Sequence, residues 1–413
     1  MKLKTKYFID KFIYFSLVIV CLSICLNPLY KGLAITLLLI SILTSYLSKK
    51  NNYNFNICNY NLLLIGLYFL YIIGIFYSYD KKEALFDLEV KLPLILLPLI
   101  FIFIPKKFIT RQKLWYYFIA VIIGFVTYVF YAFGMGISKA ITNSLPIIPE
   151  ISYVNLTGQP SYFALIGAIS SILIYKVPLI ELFKLKAKLN YLIKGATLLI
   201  IMIFFLFLNS TSGLFLISFA FIYIILDLYL FEKKKILTLY PLILITAFYT
   251  LAFNFDSFNN RYEYYANTEL KTEKKTGSQR KFINLNAHKI LIQSSLFGVG
   301  TGDVKSTLNK FYLDNGANFS KYFNAHNQYL QTNIALGFIG LCFLFFVFLF
   351  PMIKMLREKE FFLLNIFILI GFSFLFESML EKNMGTYFFA LIYVLSNSYL
   401  YKEDKFKEKK LQV

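Results

Sequence analysis

The chain has 413 residues, of which 58% are hydrophobic and 15% charged, too little charge to cover the surface of a water-soluble domain of that length. Its formal charge of +20 would suit a nucleic-acid partner, but the Lys and Arg residues sit mostly in short segments between apolar runs, which excludes a basic binding face. The four cysteines, Cys21, Cys25, Cys58 and Cys342, form no CxxC pair, so neither a disulfide framework nor a cysteine metal site is expected.

Taken in chain order, apolar runs long enough or nearly long enough for a bilayer fall at approximately 12–28, 32–48, 60–77, 92–104, 115–135, 161–175, 192–208, 213–231, 236–253, 328–350, 361–376 and 385–401. The first run lacks a small-residue cleavage site and is soon followed by another, so it reads as a retained helix. The expected fold is all-α: a single polytopic membrane domain over 1–413 with about 12 transmembrane helices. One long periplasmic loop spans 254–327, and a basic cytoplasmic tail covers 402–413.

The positive-inside rule sets the orientation. With the N-terminus cytoplasmic, 26 of the 42 basic residues fall in cytoplasmic segments and six in short outer loops (Lys31, Lys81, Lys82, Lys91, Lys139, Lys382). The remaining ten lie in the long loop, which is too long to obey the rule. Both termini are therefore expected inside.

A hydrophilic loop of this length among short connections is the first place to look for chemistry. It holds both histidines, His288 and His326, and the outer-face arginines Arg261 and Arg280. From Arg280 to Leu296 the spacing suits an amphipathic helix, either a plain surface helix or part of a site. Glycines at 298, 300 and 302 follow, and Gly300 and its neighbours form either a simple turn or an anion-binding nest. Imidazole is the side chain that titrates near neutral pH, so His326, where the 328–350 run begins, is either an interfacial cap or a proton acceptor. Acidic residues in the loop, including Asp303, show no ligand spacing for a metal. Glu377 and Glu381 flank the last outer loop, either as solvated loop ends or oriented toward substrate or Arg280.

Three segments together are more specific than any of them alone. Arg280 through Ser295-Leu-Phe-Gly-Val-Gly-Thr-Gly-Asp303, then Ala325-His-Asn-Gln-Tyr-Leu330, then Leu336-Gly-Phe-Ile-Gly340 resemble, in order and spacing, the signature of the O-antigen ligase and polymerase superfamily. Lys91-Leu-Pro-Leu-Ile-Leu-Leu-Pro98, Gln159-Pro-Ser-Tyr-Phe163 and Phe374-Leu-Phe-Glu-Ser-Met-Leu-Glu381 look like its Bacteroidetes-type members.

The resemblance implies transfer of a glycan from an undecaprenyl-diphosphate carrier, on the periplasmic face of the bacterial inner membrane, with inversion and without a metal or cofactor. The implied acceptor is lipid A core for a ligase, a carrier-linked repeat unit for a polymerase, and a side chain for a protein O-oligosaccharyltransferase. It implies that Arg280 binds the donor diphosphate and His326 activates the acceptor hydroxyl, with Asn327, Gly300, Asp303, Glu377 and Glu381 as candidate substrate contacts. Many members carry a second basic residue on an earlier span, where this chain has Asn209-Ser-Thr-Ser-Gly213, so Arg261, Lys281 or Lys321 stand as substitutes. The rival class is a transporter or flippase of lipid-linked oligosaccharide, which would place charge near the bilayer midplane. Asp227 is the main acidic residue inside an apolar run, and it lies close to Lys233–Lys235.

Overall fold

In the computed structural model the described residues are 2–48, 59–143, 160–208, 210–254, 289, 296–315 and 324–411, and among them the regular structure is entirely helical. The first six helices are α1 (Lys2–Leu22), α2 (Pro28–Leu47), α3 (Asn59–Tyr77), α4 (Lys81–Lys91), α5 (Pro93–Phe103) and α6 (Arg111–Thr142). The middle set is α7 (Pro160–Lys176), α8 (Ala187–Leu208), α9 (Thr211–Leu226) and α10 (Leu239–Asn254). The last four are α11 (Val304–Asp314), α12 (Gln328–Arg357), α13 (Phe361–Phe376) and α14 (Asn383–Leu411).

Seven helical segments among the described residues are long and apolar enough to cross a bilayer, and α5, α7, α13 and 236–251 are shorter apolar helices. The expected runs are thus present as helices, although fewer than twelve reach spanning length on their own. Large apolar side chains such as Phe76, Phe130, Leu192 and Phe215 point outward, a surface that suits lipid and not water. The chain is a multi-pass membrane protein.

Two helices are buried all round. Every residue from Ser161 to Ile174 of α7 is buried, and so is every residue from 385 to 400 of α14. Both stretches are mainly apolar, and their few polar residues, Ser161, Ser170 and Ser171 on α7 and Thr386 and Ser396–Ser398 on α14, are buried as well. Helix α7 packs against α6, α8, α9 and α13, and α14 against α3, α5 and α6. Asp227 is buried where α9 runs on beyond Leu226, held by the Lys176 ammonium (2.5 Å) and the Tyr175 hydroxyl (2.6 Å).

The segment 81–91, expected as an outer loop, is helix α4. Its charges hid it from a search for apolar runs, yet Asp80 caps it, accepting from the Glu83 amide at 2.9 Å, with Glu83 in the first turn. Asp87 and Lys91 then form an i,i+4 pair on a face turned inward.

Helix α12 bends near its start. Gly337 has φ 66° and ψ −164°, a region only glycine adopts readily, and the freed carbonyls of Ile334 and Ala335 accept from the amides of Val299 (2.9 Å) and Gly300 (3.0 Å). Gly298 packs directly on this bend: a Cβ at Gly337 would lie 2.3 Å from the Leu296 carbonyl carbon, and one at Gly298 would lie 2.5 Å from the Gly337 nitrogen. The glycine run is therefore a backbone-to-backbone clasp on α12.

Candidate functional site

The site forms at one end of the bundle, where α3 and α13 end and α7, α12 and α14 begin. Asn327 caps α12, its side chain accepting from the Leu330 amide at 3.1 Å. His326, immediately before the cap, has φ 46°, in the left-handed region, which costs a non-glycine residue about 1–2 kcal/mol. Part of the compensation is local: the His326 amide donates to Asn324 Oδ1 at 3.2 Å. The turn delivers the imidazole inward, against Glu377 at the end of α13. His326 Nδ1 lies 3.0 Å from Glu377 Oε1. The histidine side chain is 11% exposed and the glutamate 0%.

A buried polar knot fixes both partners. The Ala325 amide donates to Gln331 Oε1 (2.9 Å), and the Leu380 amide donates to Gln328 Oε1 (2.7 Å), so one turn of α12 grips the chain before His326 and the chain after Glu377. Gln328 Nε2 donates to Thr332 Oγ1 (3.0 Å), which also meets the Tyr71 hydroxyl of α3 (3.3 Å). The Tyr162 hydroxyl at the start of α7 donates to the Ser378 carbonyl (3.2 Å). Net hydrogen bonds are worth only about 0.5–1.5 kcal/mol each, but an unmade one in such a buried setting costs more, so the knot holds as a unit.

Beside it lies a second charged cluster. Lys91, completely buried, places its ammonium 2.5 Å from Asp87 and 2.9 Å from Glu381, over the ring of Tyr71 at 4.7 Å. Burial acts to lower the Lys91 pKa, but the two carboxylates outweigh it and the net shift is upward. Burial first, with the Glu381 charge adding to it, pushes the Asp87 carboxyl up to about 7 against the opposing pull of Lys91. Glu381 also lines a polar cleft of about 770 Å³ together with Glu83, Lys305, Asn324, Lys382 and Asn383. Lys305 of α11 pairs with Glu83 of α4 across it.

Residues 196–345 match the family model described as O-antigen ligase. This match supports the O-antigen ligase superfamily for the chain. The match supports glycan transfer of the O-antigen ligase or polymerase type. No curated protein matches the chain. The matched segment runs from α8 to just past the middle of α12, so it contains the glycine clasp and His326 but ends before Glu377.

Of the residues expected at the site, the fold brings His326, Asn327 and Glu377 together, with Glu381 one turn further on toward Lys91. Neither glutamate is a solvated loop end: Glu377 is inaccessible, and Glu381 is mostly covered. The polar groups of the other two described candidates are engaged by the protein itself. The Gly300 amide is spent on Ala335, and the Asp303 carboxylate accepts from the amides of Tyr79 (2.6 Å) and Asp80 (2.9 Å), tying the loop to the α3–α4 turn. The amides of Val299 and Gly302 are likewise occupied, the latter by Ser78, so the glycine run offers no open anion nest. Arg261, Arg280, Lys281 and Lys321, and the expected amphipathic helix from Arg280, lie outside the described residues.

Sequence reading missed Gln328, Gln331 and the Lys91–Asp87 pair. A signal existed for the glutamines: three amides and a threonine (Gln328, Gln331, Thr332, Asn333) open an otherwise apolar run, where polar side chains need partners. For Lys91 only the i,i+4 spacing from Asp87 was visible, and that spacing is common on solvated faces.

Proposed function

We propose that the protein is an O-antigen ligase-like, inverting glycosyltransferase that moves a glycan from an undecaprenyl-diphosphate carrier onto lipid A core at the periplasmic face of the inner membrane. The observation that carries this function is the buried His326–Glu377 pair, whose chain neighbours Asn324 and Glu381 line a cleft. With its Nδ1 proton donated to Glu377, the imidazole keeps Nε2 as the basic nitrogen, and the carboxylate steadies the imidazolium that forms when a proton is taken.

In the proposed reaction an acceptor hydroxyl gives its proton to His326 as its oxygen attacks the anomeric carbon of the carrier-linked glycan. The bond to the diphosphate breaks on the opposite face, inverting the centre, and undecaprenyl diphosphate leaves with the electron pair. Arg280 is assigned to the diphosphate, since a guanidinium fork stabilises the growing negative charge more in the transition state than before it. The transfer balances without a metal or cofactor. Glu377 acts as a positioning residue through His326, and Asn327 serves as the cap that fixes the turn. Gly300 and Asp303 serve by holding the 296–303 segment in place. Arg261, Lys281 and Lys321 remain the candidates for a second diphosphate contact, and Glu381 for the cleft wall.

The topology assigned is both termini cytoplasmic, with 254–327 as the outer loop and 402–413 as the inner tail. It is supported by the distribution of basic residues, 26 in the segments assigned to the cytoplasm against six in the short outer loops.

The test is a host lacking this gene, restored with wild type, Arg280→Ala or His326→Ala, with lipopolysaccharide and the carrier-linked glycan pool resolved side by side. A ligase leaves the lipid A core bare while long glycan accumulates on the carrier, and neither variant restores transfer. Single repeat units still reaching the core would make the enzyme a polymerase, and full transfer by a variant would remove that residue from the mechanism.

A further inference from the structure

The second large cavity, about 830 Å³, lies at the far end of the bundle from His326. Helix α7 measures the separation. Its first turn touches Ser378 through Tyr162, its last turn lines the cavity with Tyr175 and Lys176, and its 17 residues span roughly 25 Å.

The cavity is graded along its length. On α8, Lys188, Leu192 and Leu199 follow one another at helical spacing along one face, so a cation at the helix start gives way to apolar side chains deeper in. Leu192 is 65% exposed and Leu199 is also open, so the apolar part faces outward between helices and is not sealed within the protein. Gly195 provides the room between them, since a Cβ there would come within 2.7 Å of the Tyr240 hydroxyl of α10.

The charges at the polar end are not balanced in pairs. Lys176 is matched by Asp227 (2.5 Å), and Lys234 by Glu232 (2.7 Å), which also lies 3.8 Å from Lys176. Lys188 and Lys194 have no carboxylate within ion-pair distance among the described residues, and Lys194 is turned toward the cavity wall by donating to the Tyr175 carbonyl (2.6 Å). Glu181 on the rim is the one lining acid that forms no ion pair among those residues. Deeper in, Asn190 is 6% exposed, and its amide oxygen has no donor among the described residues.

We infer that this cavity binds an anionic phospholipid with a hydroxyl-bearing headgroup, taken from the leaflet opposite the proposed transfer site. Phosphate oxygens meet Lys188 and Lys194, a headgroup hydroxyl donates to the Asn190 oxygen, and one acyl chain lies along Leu192 and Leu199. A lipid carries the same gradient as the cavity, charge at one end and hydrocarbon along the rest, which a soluble anion lacks. The site is independent of the His326 chemistry.

The experiment is native mass spectrometry of the full chain in detergent, offered dioleoylphosphatidylglycerol or dioleoylphosphatidylcholine at equal concentration. Wild type retains the anionic lipid in preference by roughly fivefold for each uncompensated lysine that it meets. Lys188→Glu, at an exposed position, removes most of that preference, and Ala196→Trp, which fills the cavity, lowers retention of both lipids. Equal retention of the two lipids by wild type, or an anionic preference unchanged in both variants, overturns the inference. Displacement of the bound lipid by glycerol 3-phosphate at the same concentration also overturns it, because the cavity would then read the anion alone.

Discussion

His326 Nδ1 and Glu377 Oε1 lie 3.0 Å apart across 51 positions of chain, one at the start of α12 and the other at the end of α13. A carboxylate with no exposure persists in a membrane protein only where its charge is answered. Replacing Glu377 by Gln keeps the shape and an acceptor oxygen but removes the charge that favours imidazolium. Turnover should fall by about tenfold or more with the acceptor KM little changed, whereas His326→Ala should lose roughly 10²–10⁴-fold. Steady-state transfer assays on purified enzyme decide this: a rise in KM at constant turnover would make Glu377 a contact to acceptor and not a positioning residue.

Gly337→Ala should destabilise the fold. It forces a side chain into a glycine-only conformation, costing about 1–3 kcal/mol, and drives its Cβ into the Leu296 carbonyl. A melting temperature in detergent equal to wild type would show that the bend is not needed to seat the 296–303 segment.

Asp303→Ala should act on stability rather than on substrate. It strips two backbone amides, at Tyr79 and Asp80, of their acceptor and loosens the start of α4, with an expected cost of about 1–3 kcal/mol. Faster hydrogen exchange in the first turn of α4 is the diagnostic. Unchanged exchange combined with a raised donor KM would instead make Asp303 a ligand contact.

The Asp87 carboxyl, pushed up to about 7, predicts a pH dependence with a definite sign. Between the ordinary carboxylate value, 3.8, and about 7 the folded state holds this proton more tightly than the unfolded chain does. The contribution to stability is full below the ordinary value and is lost as pH rises through about 7. Melting curves at pH 5 and pH 8 should show a smaller difference for Asp87→Asn than for wild type. An equal difference in the two proteins would mean that Lys91 and Glu381 leave Asp87 nothing to titrate.

Lys91→Ala removes the single cation between Asp87 and Glu381 and leaves two carboxylates facing each other without it, at a cost of about 3–5 kcal/mol. Lys91→Ala combined with Asp87→Asn should recover part of that loss in the same melting assay. No recovery would show that the ammonium matters through Glu381 and Tyr71 instead.

The sequence by itself determined that this is a helical membrane protein, because burial in hydrocarbon requires long apolar runs and hydropathy is a property of each segment alone. It also marked His326, since a histidine at the edge of a span, after glycines at fixed spacing, is a local pattern that resembles a known signature. Helix α4 escaped because its charges mask an amphipathic fit that only its buried face reveals, and the bend at Gly337 escaped because a glycine in an apolar run looks like any other. Tertiary structure alone decided that Glu377 answers His326, that Lys91 is enclosed by Asp87 and Glu381, and that the glycine amides are spent on α12. Each of these depends on which helix ends meet, and packing between segments far apart in the chain sets that, leaving no trace in the local order of residues.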